Sequence, residues 1–246
     1  MVPMSIELRD YGYLTSFYFE DEIEGLKMVT EYFCSFFETP IIDDATLTFF
    51  SIPNQAVIIT DWLFQRQKSV RWYQIEILNA NDTVARNLLD KCRFASSIMF
   101  CMVVSPEFKY DFEFKKDGKV YIDFGSWFTL ENLLNVNCEH LTLFKTPLTN
   151  MDINLFIKHW MTSDLKFHSV KIYPKEVLNL DVIVSEIPVV RRERRDCFDV
   201  TNNKIVTIFN GLEVKQNDGL KTATISINDD PLNEFGRFWM IVWDTL

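Results

Sequence analysis

The sequence predicts an α/β fold with a mostly parallel sheet, and three observations predict it. Strand-like and helix-like segments alternate from residue 70 to about residue 173. With Ile75, Phe100, Ile122, Leu143 and Val170 as strand centres, the separations are about 21 to 27 residues, inside the leucine-rich-repeat range of roughly 20 to 29. Beyond residue 200 the helical periodicity stops, and apolar stretches separated by polar turns take over. Strand–helix units of that length connect in one direction and favour parallel pairing. The expected fold is therefore leucine-rich-repeat-like strand–helix repeats forming a curved, mostly parallel sheet, with a C-terminal antiparallel β cap over the last open repeat. The repeat is one of spacing, not of residue identity. Three regions follow: residues 1–69, an N-terminal helical or linker segment packed on the domain; 70–181, the repeat-like α/β region; and 182–246, the antiparallel β region.

The elements are justified in chain order. Residues 21–37 carry Ile23, Leu26, Val29, Phe33 and Phe37 at intervals of three and four, behind an acidic start that suits a helix N-terminus, and Thr39-Pro40 stops them. The apolar stretch 56–60 reads as a short strand. Residues 71–78 alternate Tyr73, Ile75 and Ile77 with Gln74 and Glu76, as a half-buried strand does. A helix follows over 82–92, with Val84, Leu88 and Cys92 on one side. Residues 97–104 are apolar throughout, as in a strand covered on both faces. Residues 119–124 alternate again, a short helix opens at Phe128-Thr129, and 138–144 returns to a strand. Thr149 and Asp152 form a capping-box pattern ahead of Ile153, Phe156, Ile157 and Trp160 on one face of a helix over 150–161. Residues 165–173 read as a strand and 175–180 as a short helix. The end reads as strands 204–209, 212–215, 223–228 and 237–244, with hairpin signals at Asn210-Gly211 and Asp218-Gly219.

Composition narrows the function classes. The 246 residues are 48% hydrophobic and 15% aromatic with only seven glycines, which excludes a disordered chain. A net charge of -10 argues against nucleic-acid binding, because phosphate backbones are held by clustered Lys and Arg. The one basic run, Arg191, Arg192, Arg194 and Arg195, reads as a solvated loop, with a nuclear address or a phosphate contact as the alternatives. Five cysteines without a CxxC pair read as reduced thiols, placing the chain in the cytoplasm or nucleus. No signal peptide or membrane span is expected, since the longest fully apolar run is far below roughly 20 residues.

Enzyme and metal chemistry find little support. Cys138 and His140, two apart on a strand, are the only arrangement suggesting a nucleophile with its base, and they frame the rival reading of a Cys/His hydrolase. No glycine-rich turn stands nearby to form an oxyanion pocket. His159 and His168 do not have HExxH-type spacing, no Cys lies at zinc-ligand spacing from either, and there is no phosphate-cradling GxGxxG or GxxxxGK. No catalytic residue, no metal and no cofactor are therefore assigned.

Specific residues then point to a family. The stretch Leu141-Thr142-Leu143-Phe144-Lys145-Thr146-Pro147-Leu148-Thr149, running into Asp152-Ile153-Asn154-Leu155-Phe156-Ile157-Lys158-His159-Trp160-Met161, resembles the core motif of the F-box-associated domain (type 2) of Caenorhabditis F-box B proteins. Trp127 with Leu130, Leu133 and Leu134 resembles the short helix before that motif. Asp218-Gly219-Leu220 to Ile225 and Phe238-Trp239-Met240-Ile241-Val242-Trp243 resemble its closing strands. Glu24-Gly25-Leu26 onward resembles the segment linking F-box and associated domain. Residues 1–20 carry no Leu-Pro followed by leucine-rich helices, so the resemblance is to the associated domain, residues 70–246, without the F-box.

That resemblance implies a non-catalytic protein-recognition module, similar to the substrate-binding part of an F-box adaptor of a cullin-RING ubiquitin ligase. The implied partners are an unknown target protein, and the Skp adaptor only if an F-box is supplied elsewhere. A decoy or inhibitor that binds the same targets without ubiquitin transfer is the alternative. Strand side chains alternate, so Gln74, Glu76, Tyr121, Asp123, His140 and Thr142 should point away from the inward set Ile75, Ile77, Ile122, Leu141 and Leu143. These six are the candidate partner-binding face.

Overall fold

A computed structural model of the chain describes residues 4–9, 12–49, 53–199, 204–230 and 233–244. A hairpin of β1 (Met4–Arg9) and β2 (Gly12–Phe17), not anticipated from the sequence, precedes the expected helix α1 (Glu22–Phe36). Asp21 caps α1 by accepting the Ile23 and Glu24 amides at 3.0 Å each. The expected apolar face of this helix is not buried: Leu26, Phe33 and Phe37 stay exposed, as do Tyr32 and Phe36.

The sheet begins at β3 (Asp44–Phe49), which the sequence reading missed, and α2 (Pro53–Arg66) follows it. The expected strand at 56–60 is therefore a helix. Its apolar run is too short to tell helix from strand, whereas Ala56, Ile59, Thr60 and Leu63, all buried, recur at helical spacing. Next come β4 (Val70–Ile77), α3 (Asp82–Asp90) with a 3-10 turn over Lys91–Phe94, and β5 (Ala95–Met102). Then follow β6 (Phe114–Lys115), β7 (Lys119–Asp123), α4 (Leu130–Asn135), β8 (Val136–Asn137) and β9 (His140–Thr146). The series closes with α5 (Asn150–Thr162), β10 (Ser169–Pro174) and α6 (Leu180–Ile183). Residues 175–179 are not helical as expected. Asn179 caps α6 instead, taking the Asp181 and Val182 amides.

Four long strands finish the chain: β11 (Val190–Asp199), β12 (Lys204–Lys215), β13 (Lys221–Asp230) and β14 (Asn233–Asp244). Asp218-Gly219 turns β12 into β13. Asn210-Gly211 makes no hairpin; β12 runs through it, with Asn210 at φ 53. A Cβ on Gly211 would meet Thr224 at 2.9 Å, so close approach to β13 explains this glycine. The arginine run, expected as a loop, is the edge strand β11. Charged edge strands resist pairing with other chains. Arg192 and Arg195 lie 2.9 and 3.7 Å from the two carboxylate oxygens of Glu213, whose own side chain is buried.

Ten of these fourteen strands form one sheet, ordered β11-β12-β13-β14-β10-β9-β7-β5-β4-β3, while β1-β2 and β6-β8 pair separately. From β3 to β10 pairing is parallel and neighbours follow chain order; from β10 through β14 to β11 it is antiparallel. Parallel crossovers of one hand, added in one direction, put their helices on the same face. There Ile75, Phe100, Ile122, Leu143 and Ile172 pack with Leu88, Phe156, Ile157 and Trp160 in one core. The Thr149–Asp152 capping box is formed: Thr149 N–H donates to Asp152 Oδ2 at 2.8 Å and Asp152 N–H to Thr149 Oγ1 at 3.2 Å. Thr149→Ala should therefore lower stability by about 1 kcal/mol, read as a lower urea midpoint with an unchanged m-value.

Candidate partner-binding face

The second face of the parallel sheet is half-open, and register decides what it displays. Residues paired directly across strands share a face. One row runs Thr46, Gln74, Met99, Tyr121, Thr142, Lys171 and Trp239 across β3, β4, β5, β7, β9, β10 and β14. Thr46 at the sheet edge is exposed, Gln74, Met99, Tyr121, Thr142 and Lys171 are half-exposed and Trp239 is buried, in contrast to the fully buried Ile75, Phe100, Ile122 and Leu143 beneath them. A second row, toward the strand C-termini, runs Thr48, Glu76, Cys101 and Asp123.

Side-chain bonds fix this surface. Along β4, Trp72 Nε1 donates to Gln74 Oε1 at 3.1 Å, and Gln74 Nε2 to Glu76 Oε1 at 2.6 Å. Cys101 Sγ lies 3.5 Å from Asp123 Oδ2, and Lys145 Nζ 3.5 Å from Asp123 Oδ1. Lys145 also sits 3.6 Å from the centroid of the Phe124 ring. Phe124 and Lys145 both take left-handed backbone, φ 55 and 53, so the rim at the ends of β7 and β9 is strained. Phe144 stacks on Tyr173 at 4.0 Å and approaches Tyr121 at 5.3 Å. On the far side, Lys171 and Arg237 flank the Trp239 ring at 5.0 and 4.8 Å. The face therefore runs from acidic at Glu76 and Asp123, through aromatic, to cationic beside Trp239.

Burial pushes the Tyr121 phenol up to about 12, with the Asp123 charge adding to it, so it is a neutral hydrogen-bond donor at physiological pH. Burial and Asp123 likewise push the Cys101 thiol up to about 12. Cys138, at 1% exposure, donates its thiol hydrogen to the His140 carbonyl at 3.4 Å, and burial raises its pKa well above the ordinary thiol value. Such a thiol is a poor nucleophile, which counts against the Cys/His hydrolase reading. Alkylation of the native protein with iodoacetamide near pH ~8 should modify half-exposed Cys34 first and leave Cys92, Cys101 and Cys138 largely unreacted, as peptide mass spectrometry would show.

Of the six expected face residues, Gln74, Glu76, Tyr121, Asp123 and Thr142 are half-exposed on this side. His140 corrects the expectation. It lies on the same side but is only 5% exposed, because β10 brings His168 against it with ring centroids 5.9 Å apart. The sequence reading missed Met99, Cys101, Lys171 and Trp239. The first two were hidden in the stretch 97–104, taken as covered on both faces, although Met99 and Cys101 are half-exposed. Their signal was present in the alternation of Ser97, Met99 and Cys101 with Ile98, Phe100 and Met102.

Among the described residues no helix is long and apolar enough to cross a membrane. No solved structure matches the chain. Over 71 residues it is 31% identical to the E3 ubiquitin-protein ligase hecw-1 of Caenorhabditis elegans, a stretch covering 28% of this chain and 6% of that protein. The chain thus spans a small fraction of the curated relative it matches. Residues 112–181, which contain β7, β9 and β10 at the centre of this face together with α4 and α5, match the F-box associated family.

Proposed function

We propose that this chain is a non-catalytic protein-recognition module that holds a target on the open face of its sheet, like the substrate-binding part of a nematode F-box B adaptor. The observation that carries the reading is the half-exposed row Gln74, Met99, Tyr121, Thr142 and Lys171, laid across five consecutive strands over a fully buried layer. Parallel strands in chain order, with helices on one face, support a leucine-rich-repeat-like presentation over residues 70–181. The F-box associated match over 112–181 and the similarity to part of a ubiquitin ligase support a ubiquitin-ligase setting. Five unpaired thiols support the cytoplasm or nucleus.

Affinity purification from nematode extract, with the wild-type chain and with Thr142→Arg, tests this. A target retained by wild type and lost in the variant, whose melting temperature is unchanged, is the expected result. Co-recovery of Skp and cullin makes the chain an adaptor component, whereas a stable target without them makes it a decoy. Retention that ignores Thr142→Arg moves the binding surface elsewhere.

A further inference from the structure

We infer that Glu139, His140 and His168 form a binding site for a divalent transition-metal cation of the zinc class, at the N-terminal margin of β9 and β10. Each residue offers one ligand atom, and these atoms lie within 4.8 Å of one another. Metal–nitrogen bonds near 2.0–2.1 Å put the ligand atoms of a tetrahedral site roughly 3.4 Å apart, so small side-chain rotations close the set. HExxH-type spacing does not describe this set, because its members converge across adjacent parallel strands rather than along one helix.

The backbone already holds the three in place. Glu139 immediately precedes β9 and His168 immediately precedes β10, where His140 is paired with Ser169. His168 N–H donates to the Glu139 carbonyl at 2.8 Å, and the His168 carbonyl accepts the Val242 N–H at 2.9 Å. The amides of Glu139 and His140 both donate to the Gly118 carbonyl, at 3.0 and 3.1 Å. Little ordering remains to be done on binding, which favours affinity.

Ligand type selects the ion. Two imidazoles with one carboxylate suit Zn2+ and its neighbours, whereas Ca2+ and Mg2+ require oxygen donors throughout. The Cys138 thiol, one residue away, is directed to the His140 carbonyl and stands outside the set. His168 is exposed, so the cation has a path in, and three protein ligands leave a position for water.

The full chain, stripped with chelator, is titrated calorimetrically with Zn2+, and with Co2+ as a spectroscopic probe. One saturable site is expected, with visible Co2+ bands and no thiolate charge-transfer absorption. His168→Ala should weaken it at least roughly tenfold with the chelated melting temperature unchanged. Glu139→Gln should weaken it in the same direction, and His159→Ala, on α5, should leave it intact. Absent saturable binding, binding indifferent to His168→Ala, or a thiolate signature overturns the assignment.

Discussion

Gly118→Ala is expected to destabilise the chain by about 2–4 kcal/mol, although it adds a single methyl group. Gly118 sits just before β7 at φ 157, and a Cβ there would lie 2.0 Å from the carbonyl oxygen of Ser96 on β5. That obstacle is backbone in the middle of the parallel sheet, so it cannot rotate aside as a side chain would. Moving it disturbs the β5–β7 pairing that starts at Ile98 and Val120. Shifting residue 118 instead breaks two further bonds, because its carbonyl accepts the Glu139 and His140 amides. Gly219→Ala is the matched control. Its φ of 74 is strained for alanine, yet nothing lies within 4 Å, so the penalty should stay near the ~1–2 kcal/mol of left-handed backbone. Urea unfolding of both variants checks the pair; equal midpoints would mean that the clash at Gly118 is relieved by an unforeseen shift.

The strands whose one face is core and whose other face is half-open were legible, because their alternation is written locally. Tyr73, Ile75 and Ile77 against Gln74 and Glu76 is such a case, and Val120 and Ile122 against Tyr121 and Asp123 is another. What failed depended on distant partners. The arginines of β11 look like a solvated loop until residues 204–213 are seen to pair with them. Residues 56–60 look like a strand until the window widens to Leu63. The face was legible on β4, β7 and β9 but not on β10 and β14, since placing Lys171 and Trp239 beside Thr142 needs a register that no local pattern encodes. His140 illustrates the same limit at one residue: parity placed it on the correct side, but its burial is set by the apposition of β10.

Trp160→Ala should lower stability by about 3–5 kcal/mol, the usual range for emptying a buried aromatic site. Trp160 is fully buried on α5, inside the segment that matches the F-box associated family, and belongs to the core with Phe156 and Ile157. Its carbonyl accepts Gln216 Nε2 at 3.1 Å, so the same residue ties α5 to the turn between β12 and β13. Loss of its bulk loosens the junction between the parallel region and the antiparallel strands. Trp160→Phe should behave differently. The indole N–H is buried with no hydrogen-bond partner among the described residues, a penalty of roughly 1–3 kcal/mol that phenylalanine removes. That gain offsets the smaller ring, and Trp160→Phe should fall within about 1 kcal/mol of wild type. Thermal and urea unfolding of the two variants measures the difference. If Phe is as damaging as Ala, volume alone rules the site; if it is near neutral, the indole was retained for shape at the expense of an unmade bond.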